Sequence, residues 1–115
     1  MKTENWNDKE FVLETIKKKG YVLGYVSNEL RNDKEVVLEA VKKNCEALYY
    51  ASKELKNDKE IVLVAVKKWG GALEFASKEL KNDKEVAIEA IKQYWDAFKF
   101  VGPEAQKEII NLLIK

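Results

Sequence analysis

The sequence predicts an all-α fold of tandem helical-hairpin repeats, with about nine helices in all. Two observations predict it. The tetrapeptide Asn-Asp-Lys-Glu recurs every 25 residues, beginning at Asn7, Asn32, Asn57 and Asn82. Apolar residues within each unit follow the spacing of an α-helix rather than the alternation of a strand. Because such units stack through their apolar faces, the sequence favours a short right-handed α-solenoid or a compact helical array.

The chain of 115 residues fits a single domain, residues 1–115, with repeats at residues 7–31, 32–56, 57–81 and 82–106. The second and third repeats are identical at 18 of 25 positions. Helices of about ten residues are only marginally stable alone. Each unit is therefore expected to need a neighbour that covers its apolar faces.

The second unit shows how the first helix of each repeat begins and packs. Asn32 or the adjacent Asp33 is expected to cap the helix, and Glu35 is placed to complete a capping box. The apolar residues between Val36 and Val41 span about 200° of the helix surface. An arc this wide predicts contacts with neighbouring helices on two sides.

The second helix of this unit is predicted over residues 46–55. Gly20 and Gly70 precede it in the first and third units, and glycine at that point predicts a left-handed C-cap. Cys45 takes this place in the second unit, where a small residue in a turn is the expected role. Four aromatic residues recur at one position of the second helix and are expected in the core. They are Tyr25, Tyr50, Phe75 and Phe100.

The two ends of the array have distinct sequences. Trp6 precedes the first cap and is expected to pack on Phe11 as a hydrophobic staple. After Gly102 and Pro103, a C-terminal capping helix is predicted over residues 104–115, in the place of a fifth unit's first helix. One flank of this helix is expected to lack an intrachain partner and to support a homo-oligomer. The apolar residues of that surface are Ile109, Ile110 and Leu113.

The composition argues against an enzyme. The chain has no histidine and a single cysteine, so imidazole acid–base chemistry and a cysteine metal site are excluded. The glutamates that recur in every unit are explained by helix capping and solubility. We therefore expect no catalytic, metal-binding or cofactor-binding residues.

The charge balance and the lone cysteine point to the compartment. A net charge of +1 argues against binding by bulk charge. One cysteine cannot form an intrachain disulfide, which favours a cytoplasmic location. No signal-peptide-like run opens the chain and no apolar stretch approaches membrane-spanning length, so no membrane association is expected.

Two rows of lysines suggest nucleic-acid binding as an alternative function. Lysines of the first row adjoin Asp and Glu, which nearly cancel their field; they are Lys9, Lys34, Lys59 and Lys84. Lysines of the second row end the first helices; they are Lys17, Lys18, Lys42, Lys43, Lys67, Lys68 and Lys92. With stacking on Trp69, Tyr94 and Trp95, the second row would bind a single strand weakly. Solvated lysines at helix C-termini are the simpler explanation.

Positions that differ between units are free to specialise, and they cluster around the turn between the helices and the outer side of the second helix. The candidate partner-binding residues there are Tyr49, Trp69, Glu74, Tyr94, Trp95 and Lys99. Tyr49 is predicted to be exposed, whereas Trp69 and Tyr94 either project outward or fold over the apolar arc. Trp and Tyr often dominate protein interfaces. The sequence thus favours a protein–protein interaction module, an inhibitor or adaptor of a larger microbial or viral machine; a self-assembling structural repeat is a further alternative.

The repeats resemble a family known as domain of unknown function 4116. The resemblance rests on Asn-Asp-Lys-Glu, then Val-Val-Leu-x-Ala-Val-Lys, a glycine-containing turn, and Ala-Leu-x-Tyr-Ala-Ser-x-Glu-Leu. It covers about residues 7 to 101. Cys45 and Trp95 stand where the family pattern has glycine. The resemblance implies helical repeats without assigned chemistry, so no functional residue is carried over.

Overall fold

The computed structural model of the protein describes residues 5–114. These residues form helices joined by short extended segments, and no strand occurs among them. The all-α prediction is confirmed. Each unit contributes a long α-helix, a 3₁₀ helix and a further α-helical segment, in that order.

Every repeat opens with an α-helix of ten residues. The four are α1 (Lys9–Lys18), α3 (Lys34–Lys43), α5 (Lys59–Lys68) and α7 (Lys84–Gln93). An aspartate precedes each one, and its side chain accepts the backbone N–H three residues on, as Asp33 does from Val36 at 3.2 Å. Aspartate also suits the positive end of the helix dipole. The cap of the second unit is therefore Asp33 and not Asn32.

The second half of each unit is not the single helix predicted over residues 46–55. Six-residue 3₁₀ helices come first: η1 (Gly20–Tyr25), η2 (Cys45–Tyr50), η3 (Gly70–Phe75) and η4 (Trp95–Phe100). Four-residue α-helices follow in three units: α2 (Asn28–Arg31), α4 (Lys53–Lys56) and α6 (Lys78–Lys81). The backbone is extended at Ala51 and Ser52, between η2 and α4. Ser52 explains the break, because its side chain caps α4 by accepting the Leu55 N–H at 3.2 Å.

An asparagine and a serine hold the two ends of each of the first three units together. The Ser52 hydroxyl donates to Asn32 Oδ1, and the Ser52 backbone N–H donates to the Arg31 carbonyl at 3.0 Å. Equivalent side-chain pairs join Asn7 to Ser27 and Asn57 to Ser77. The asparagine that does not cap the long helix thus has a separate structural role.

The turn after each long helix contains no left-handed residue. No residue among 5–114 has a positive φ, and the C-cap Asn44 is extended, with φ −148° and ψ 107°. The left-handed C-cap predicted at Gly20 and Gly70 is therefore wrong. Gly70 is required for close packing instead, since a Cβ there would lie 2.0 Å from the Ala90 carbonyl oxygen of α7.

The long helices pack side by side in chain order, and the 3₁₀ helices form a second layer against them. Because α1 and α5 lie on its two sides, α3 buries Val36, Val37, Ala40 and Val41 completely. The predicted two-sided contact is confirmed. The array measures 64 × 22 × 17 Å and is therefore longer than it is wide.

The first unit is capped by Trp6. Its ring lies 5.3 Å from that of Phe11 in an edge-to-face arrangement, which confirms the predicted staple. The Trp6 ring also lies 5.9 Å from that of Tyr25. One residue from outside the repeat thus covers both layers of the first unit.

The last helix, α8 (Pro103–Leu113), begins 25 residues after Lys78, the first residue of α6 (103 − 78 = 25). Its first turn therefore takes the place of a short helix, and its residues 109–113 take the place of a fifth unit's first helix, as expected. Lys107 and Glu108 stand where the other units have the Asn-Asp turn. Both are good helix formers, so α8 continues where the other units bend.

Candidate functional site

A helix of the 3₁₀ layer such as η2 has a buried edge and an exposed edge. In a 3₁₀ helix, side chains three residues apart lie above one another. Cys45 and Leu48 share one such edge and are half-buried and buried, respectively, whereas Glu46 and Tyr49 share another and are exposed. The exposed edge carries the positions that differ between units.

The exposed sides of η1 and η2 enclose a groove of about 480 Å³. Its lining includes four tyrosines, and we call it the tyrosine groove; they are Tyr21, Tyr25, Tyr49 and Tyr50. Their exposed fractions are 60%, 67%, 56% and 41%, respectively. Single exposed aromatics are common on protein surfaces, but four around one groove are not.

Ring contacts fix the directions of the tyrosines in η2. The Tyr49 and Tyr50 rings lie 5.0 Å apart and nearly perpendicular, at 88°, and the Phe75 ring lies 5.5 Å from Tyr49 at 74°. Edge-to-face pairs of this kind are favourable. Tyr50 also lies against Gly24, where a Cβ would come within 3.1 Å of the ring. The groove is therefore preformed, and Gly24 leaves the space that Tyr50 leans into.

Two charged residues of this region, Arg31 and Glu46, differ in whether their charged groups are bound to other residues of the chain. The Arg31 guanidinium lies 5.9 Å from the centre of the Tyr50 ring and donates to the Val26 carbonyl at 2.9 Å and to the Gly24 carbonyl. Two of its five N–H donors are thus used within the unit. Glu46 lines the groove, is exposed, and forms no ion pair within residues 5–114.

A second cation, Lys56, lies over the Tyr49 ring with its Nζ 5.4 Å from the ring centre. Burial lowers the pKa of Lys56, and the charge of Lys53 acts in the same direction. Lys56 therefore covers one face of the Tyr49 ring, which remains 56% exposed.

The structure places Tyr49 in the tyrosine groove, exposed as predicted. Trp69 and Tyr94 lie apart from the groove lining and stack on each other, with centroids 6.5 Å apart and ring planes at 28°. Each remains 40% exposed. The Trp69 ring folds over the turn because Gly71 leaves room; a Cβ there would lie 2.4 Å from the ring. The sequence left open whether Trp69 and Tyr94 project outward or fold over the apolar arc. In the structure they pack on each other and remain partly exposed.

Trp95 lies on a third surface. It stacks on Phe98 at 6.0 Å and lines a separate apolar groove of about 350 Å³ between α7 and α8. Glu74 and Lys99 are exposed on η3 and η4, at the position that corresponds to Tyr49. Asp96 hydrogen-bonds to Lys99 at 2.9 Å and raises the pKa of Lys99. The predicted partner-binding residues are therefore not gathered at one site.

None of the four recurring aromatic residues predicted in the core is fully buried. Tyr25 and Tyr50 are exposed, and Phe75 and Phe100 are half-buried. The prediction assumed the α-helical turn of about 100° per residue, whereas the 3₁₀ turn is about 120° per residue. Sequence reasoning also missed Tyr21. Its one signal is an aromatic ring at a position where the other units have Glu46, Gly71 and Asp96.

The first lysine row ties neighbouring units together. Lys34 Nζ lies 3.1 Å from Asp58 Oδ2 and 2.9 Å from Glu60 Oε1, both in the next unit. Lys9 and Lys59 form equivalent pairs one unit earlier and one unit later. The predicted cancellation of their field is confirmed, with carboxylates of the following unit as the partners.

The second lysine row is exposed at the C-terminal ends of the long helices. Two of its members pair with a glutamate three residues earlier: Lys42 with Glu39 at 3.6 Å and Lys92 with Glu89 at 3.4 Å. Exposed pairs of this kind are weak. The position of this row suits the negative end of the helix dipoles.

Cys45 is half-buried at the first residue of η2. Burial raises the pKa of its thiol, so the nucleophilic thiolate is disfavoured. Over residues 5–114, no three His, Cys, Asp or Glu side chains are grouped to hold a metal ion. Within the same stretch, none of the helices has the length and apolar character needed to cross a membrane.

The stacked units and the exposed 3₁₀ layer define a helical-repeat protein. The chain belongs to the family described as Domain of unknown function (DUF4116), whose model matches residues 8–56, 33–81 and 58–104. Each match covers about two of the structural units, and successive matches share one unit. Searches of the curated proteins and of the solved structures found no significant match.

Proposed function

We propose that the protein is a protein–protein interaction module, not an enzyme, and that it binds its partner through the tyrosine groove. One observation carries the proposal: Tyr21, Tyr25, Tyr49 and Tyr50, all exposed, line a single preformed groove. Tyrosine supplies a large contact area at low cost in conformational entropy, and it is enriched at binding hot spots.

The surrounding scaffold supports this role. The tyrosines belong to η1 and η2, which pack on α3 through fully buried residues such as Leu23 and Leu48. A rigid support of this kind lowers the cost of ordering the surface on binding. We propose that such binding serves an adaptor or inhibitor role on a larger microbial or viral assembly, with the cytoplasm as the location.

Nucleic-acid binding is a weaker candidate for this chain. Three lysines of the first row, Lys9, Lys34 and Lys59, are paired with carboxylates of the next unit. Trp69 and Tyr94 stack on each other, which reduces the ring faces open to bases. Non-specific strand binding needs both a positive track and open aromatic faces.

An unbiased peptide display selection on the immobilised full chain tests the interaction proposal. A triple variant, Tyr21→Ser, Tyr25→Ser and Tyr49→Ser, serves as the groove variant. We expect the enriched peptides to bind this variant at least about tenfold more weakly, a loss of about 1.4 kcal/mol. Circular dichroism verifies that the variant is folded.

The control variant removes an exposed aromatic pair outside the groove, with Trp69→Ser and Tyr94→Ser. The enriched peptides should bind it as they bind the wild type. Peptides that keep their affinity for the groove variant, or the failure to enrich any peptide, would contradict the proposal.

Self-association is a second candidate, and the end of the solenoid favours it. Ile91 of α7 is half-buried, whereas the corresponding Val41 and Val66 are completely buried by the next unit. On α8, Ile110 and Leu113 are exposed whereas Ile109 is buried. An apolar end surface of this kind fits a second copy of the chain.

A further inference from the structure

The tyrosine groove has a shape and chemistry that select among the recurring forms of peptide recognition. No strand lies within residues 5–114, so that part of the chain offers no sheet edge to which a ligand strand could add. An α-helical ligand lays an apolar face into a hydrophobic groove. The lining of this groove instead carries four tyrosines and Glu46, so it offers polar groups along its length.

We propose that the occupant is a proline-rich segment in the polyproline II conformation, with a lysine or arginine beside it. The inference rests on the proposed function and deepens it by naming the class of partner. Proline-rich segments bind aromatic-lined grooves because their extended helix is already ordered before binding.

The aromatic rings of neighbouring units form one surface, which supports a ligand of this kind. Tyr50 and Phe75 are the last residues of η2 and η3, which pack next to each other. The Tyr49 ring lies 5.0 Å from that of Tyr50 and 5.5 Å from that of Phe75. Polyproline II repeats every three residues, so prolines at every third position would present one face of the ligand to these rings.

The hydrogen-bonding groups also match. A polyproline II segment makes no internal hydrogen bonds, so its carbonyl oxygens remain free to accept. Each tyrosine hydroxyl of the groove carries a donor. The rings supply apolar contact to the pyrrolidines, and the hydroxyls supply donors to the carbonyls between them.

Charge selects the basic residue. Glu46 is the acidic residue of the groove lining, and it is unpaired within the described part of the chain. Arg31 donates to carbonyls of its own unit and Lys56 lies over Tyr49, and neither forms an ion pair with Glu46. A lysine or arginine of the ligand would therefore find Glu46 as its partner.

The experiment is an NMR titration of the full chain with defined peptides. The ring resonances of the tyrosines report binding. The probe is about ten residues long, carries a proline at every third position and ends in one arginine. We expect it to shift the signals of Tyr21, Tyr25, Tyr49 and Tyr50. A peptide with alanine in place of each proline should bind at least about tenfold more weakly.

A charge-reversal pair tests the role of Glu46. The variant E46R should bind the arginine probe at least about tenfold more weakly and regain affinity for the same peptide ending in glutamate. Glu46 is exposed, so this variant should fold normally. Equal affinity of the variant for both peptides would overturn the assignment of the basic residue.

The outcomes separate this inference from the proposed function. If the proline probe leaves the four tyrosine signals unmoved, or if the alanine peptide binds equally well, the polyproline assignment fails. Groove-dependent peptides from the display selection would still support an interaction module in that case. If the selection also yields no groove-dependent peptide, both proposals fail.

Discussion

Single glycines decide how closely neighbouring units approach. Gly70 lies so near α7 that an added Cβ would come within 2.0 Å of the Ala90 carbonyl oxygen and 2.9 Å of its carbon. Both are backbone atoms, so no side-chain rotation relieves the contact. We expect Gly70→Ala to destabilise the protein by on the order of 1–3 kcal/mol, as overpacking does. Urea denaturation followed by circular dichroism measures the loss.

Gly24→Ala is the matched control. A Cβ at Gly24 would lie 3.1 Å from the Tyr50 ring, which would have to shift by only a few tenths of an ångström. Its cost should therefore be clearly smaller than that of Gly70→Ala. A similar loss in both variants would show that backbone approach is not the reason for glycine at position 70.

Some roles of single residues could be predicted from the sequence and others could not. The staple between Trp6 and Phe11 was predictable, because it depends on residues close together in the chain. The role of Gly70 was not, because the atom it avoids belongs to Ala90 in the next unit. The exposure of Tyr25 and Tyr50 was missed for a related reason, since it depends on the turn angle of a 3₁₀ helix.

At the scale of secondary-structure elements, Asp33 joins two functions. It caps α3 and pairs with Lys9 of the preceding unit at 3.0 Å. Burial raises the pKa of Asp33, but hydrogen bonds from Lys9 and from the Val36 N–H outweigh it and hold the pKa below its usual value. Stability from this group is therefore present above the unfolded pKa and is lost as the pH falls through the lower folded pKa.

The variant Asp33→Asn isolates the charge, because asparagine also caps helices well. We expect it to be less stable than the wild type at neutral pH by less than about 1 kcal/mol, since the pair is partly exposed. The difference should shrink once the pH falls below about 4, the usual aspartate range. Urea denaturation at several pH values measures this difference in stability.

The control variant is Asp33→Ala, which also loses the cap. It should lower the free energy of unfolding by about 1 kcal/mol more than Asp33→Asn does, even in acid. A difference between wild type and Asp33→Asn that does not change with pH would contradict this explanation.

Long helices were predictable as elements, whereas the second half of each unit was not. The apolar arc of α3 extends over several turns and is flanked by a cap and by basic residues, so its period is clear. The six residues of η2 are too few to distinguish a 3₁₀ turn from an α turn by pattern. Ser52, which starts the short helix α4, was the available signal, because serine is a strong N-cap.

At the scale of the whole molecule, the stacking logic explains both the elongated shape and the difference between the ends. Neighbouring units bury each other's apolar faces, which is the behaviour of a solenoid. The choice between a solenoid and a compact array was not determined by the sequence, because it depends on the angle between successive units. The N-terminal unit is covered by Trp6. The C-terminal unit is covered by α8, which leaves an apolar groove beside Ile91 and Trp95.

The incomplete C-terminal cover leads to a prediction about assembly. Leu112 and Leu113 line the groove between α7 and α8 and are 54% and 63% exposed. Because a second copy offers the same apolar surface, a symmetric dimer would bury it on both chains. Light scattering of the wild type should therefore give roughly twice the monomer mass as concentration rises, and Leu113→Lys should remain monomeric. Asn111→Lys is the matched control on the same helix, since Asn111 is also exposed, and it should dimerise like the wild type. If wild type and Leu113→Lys are equally monomeric at every concentration, this end of the solenoid is not a contact between copies.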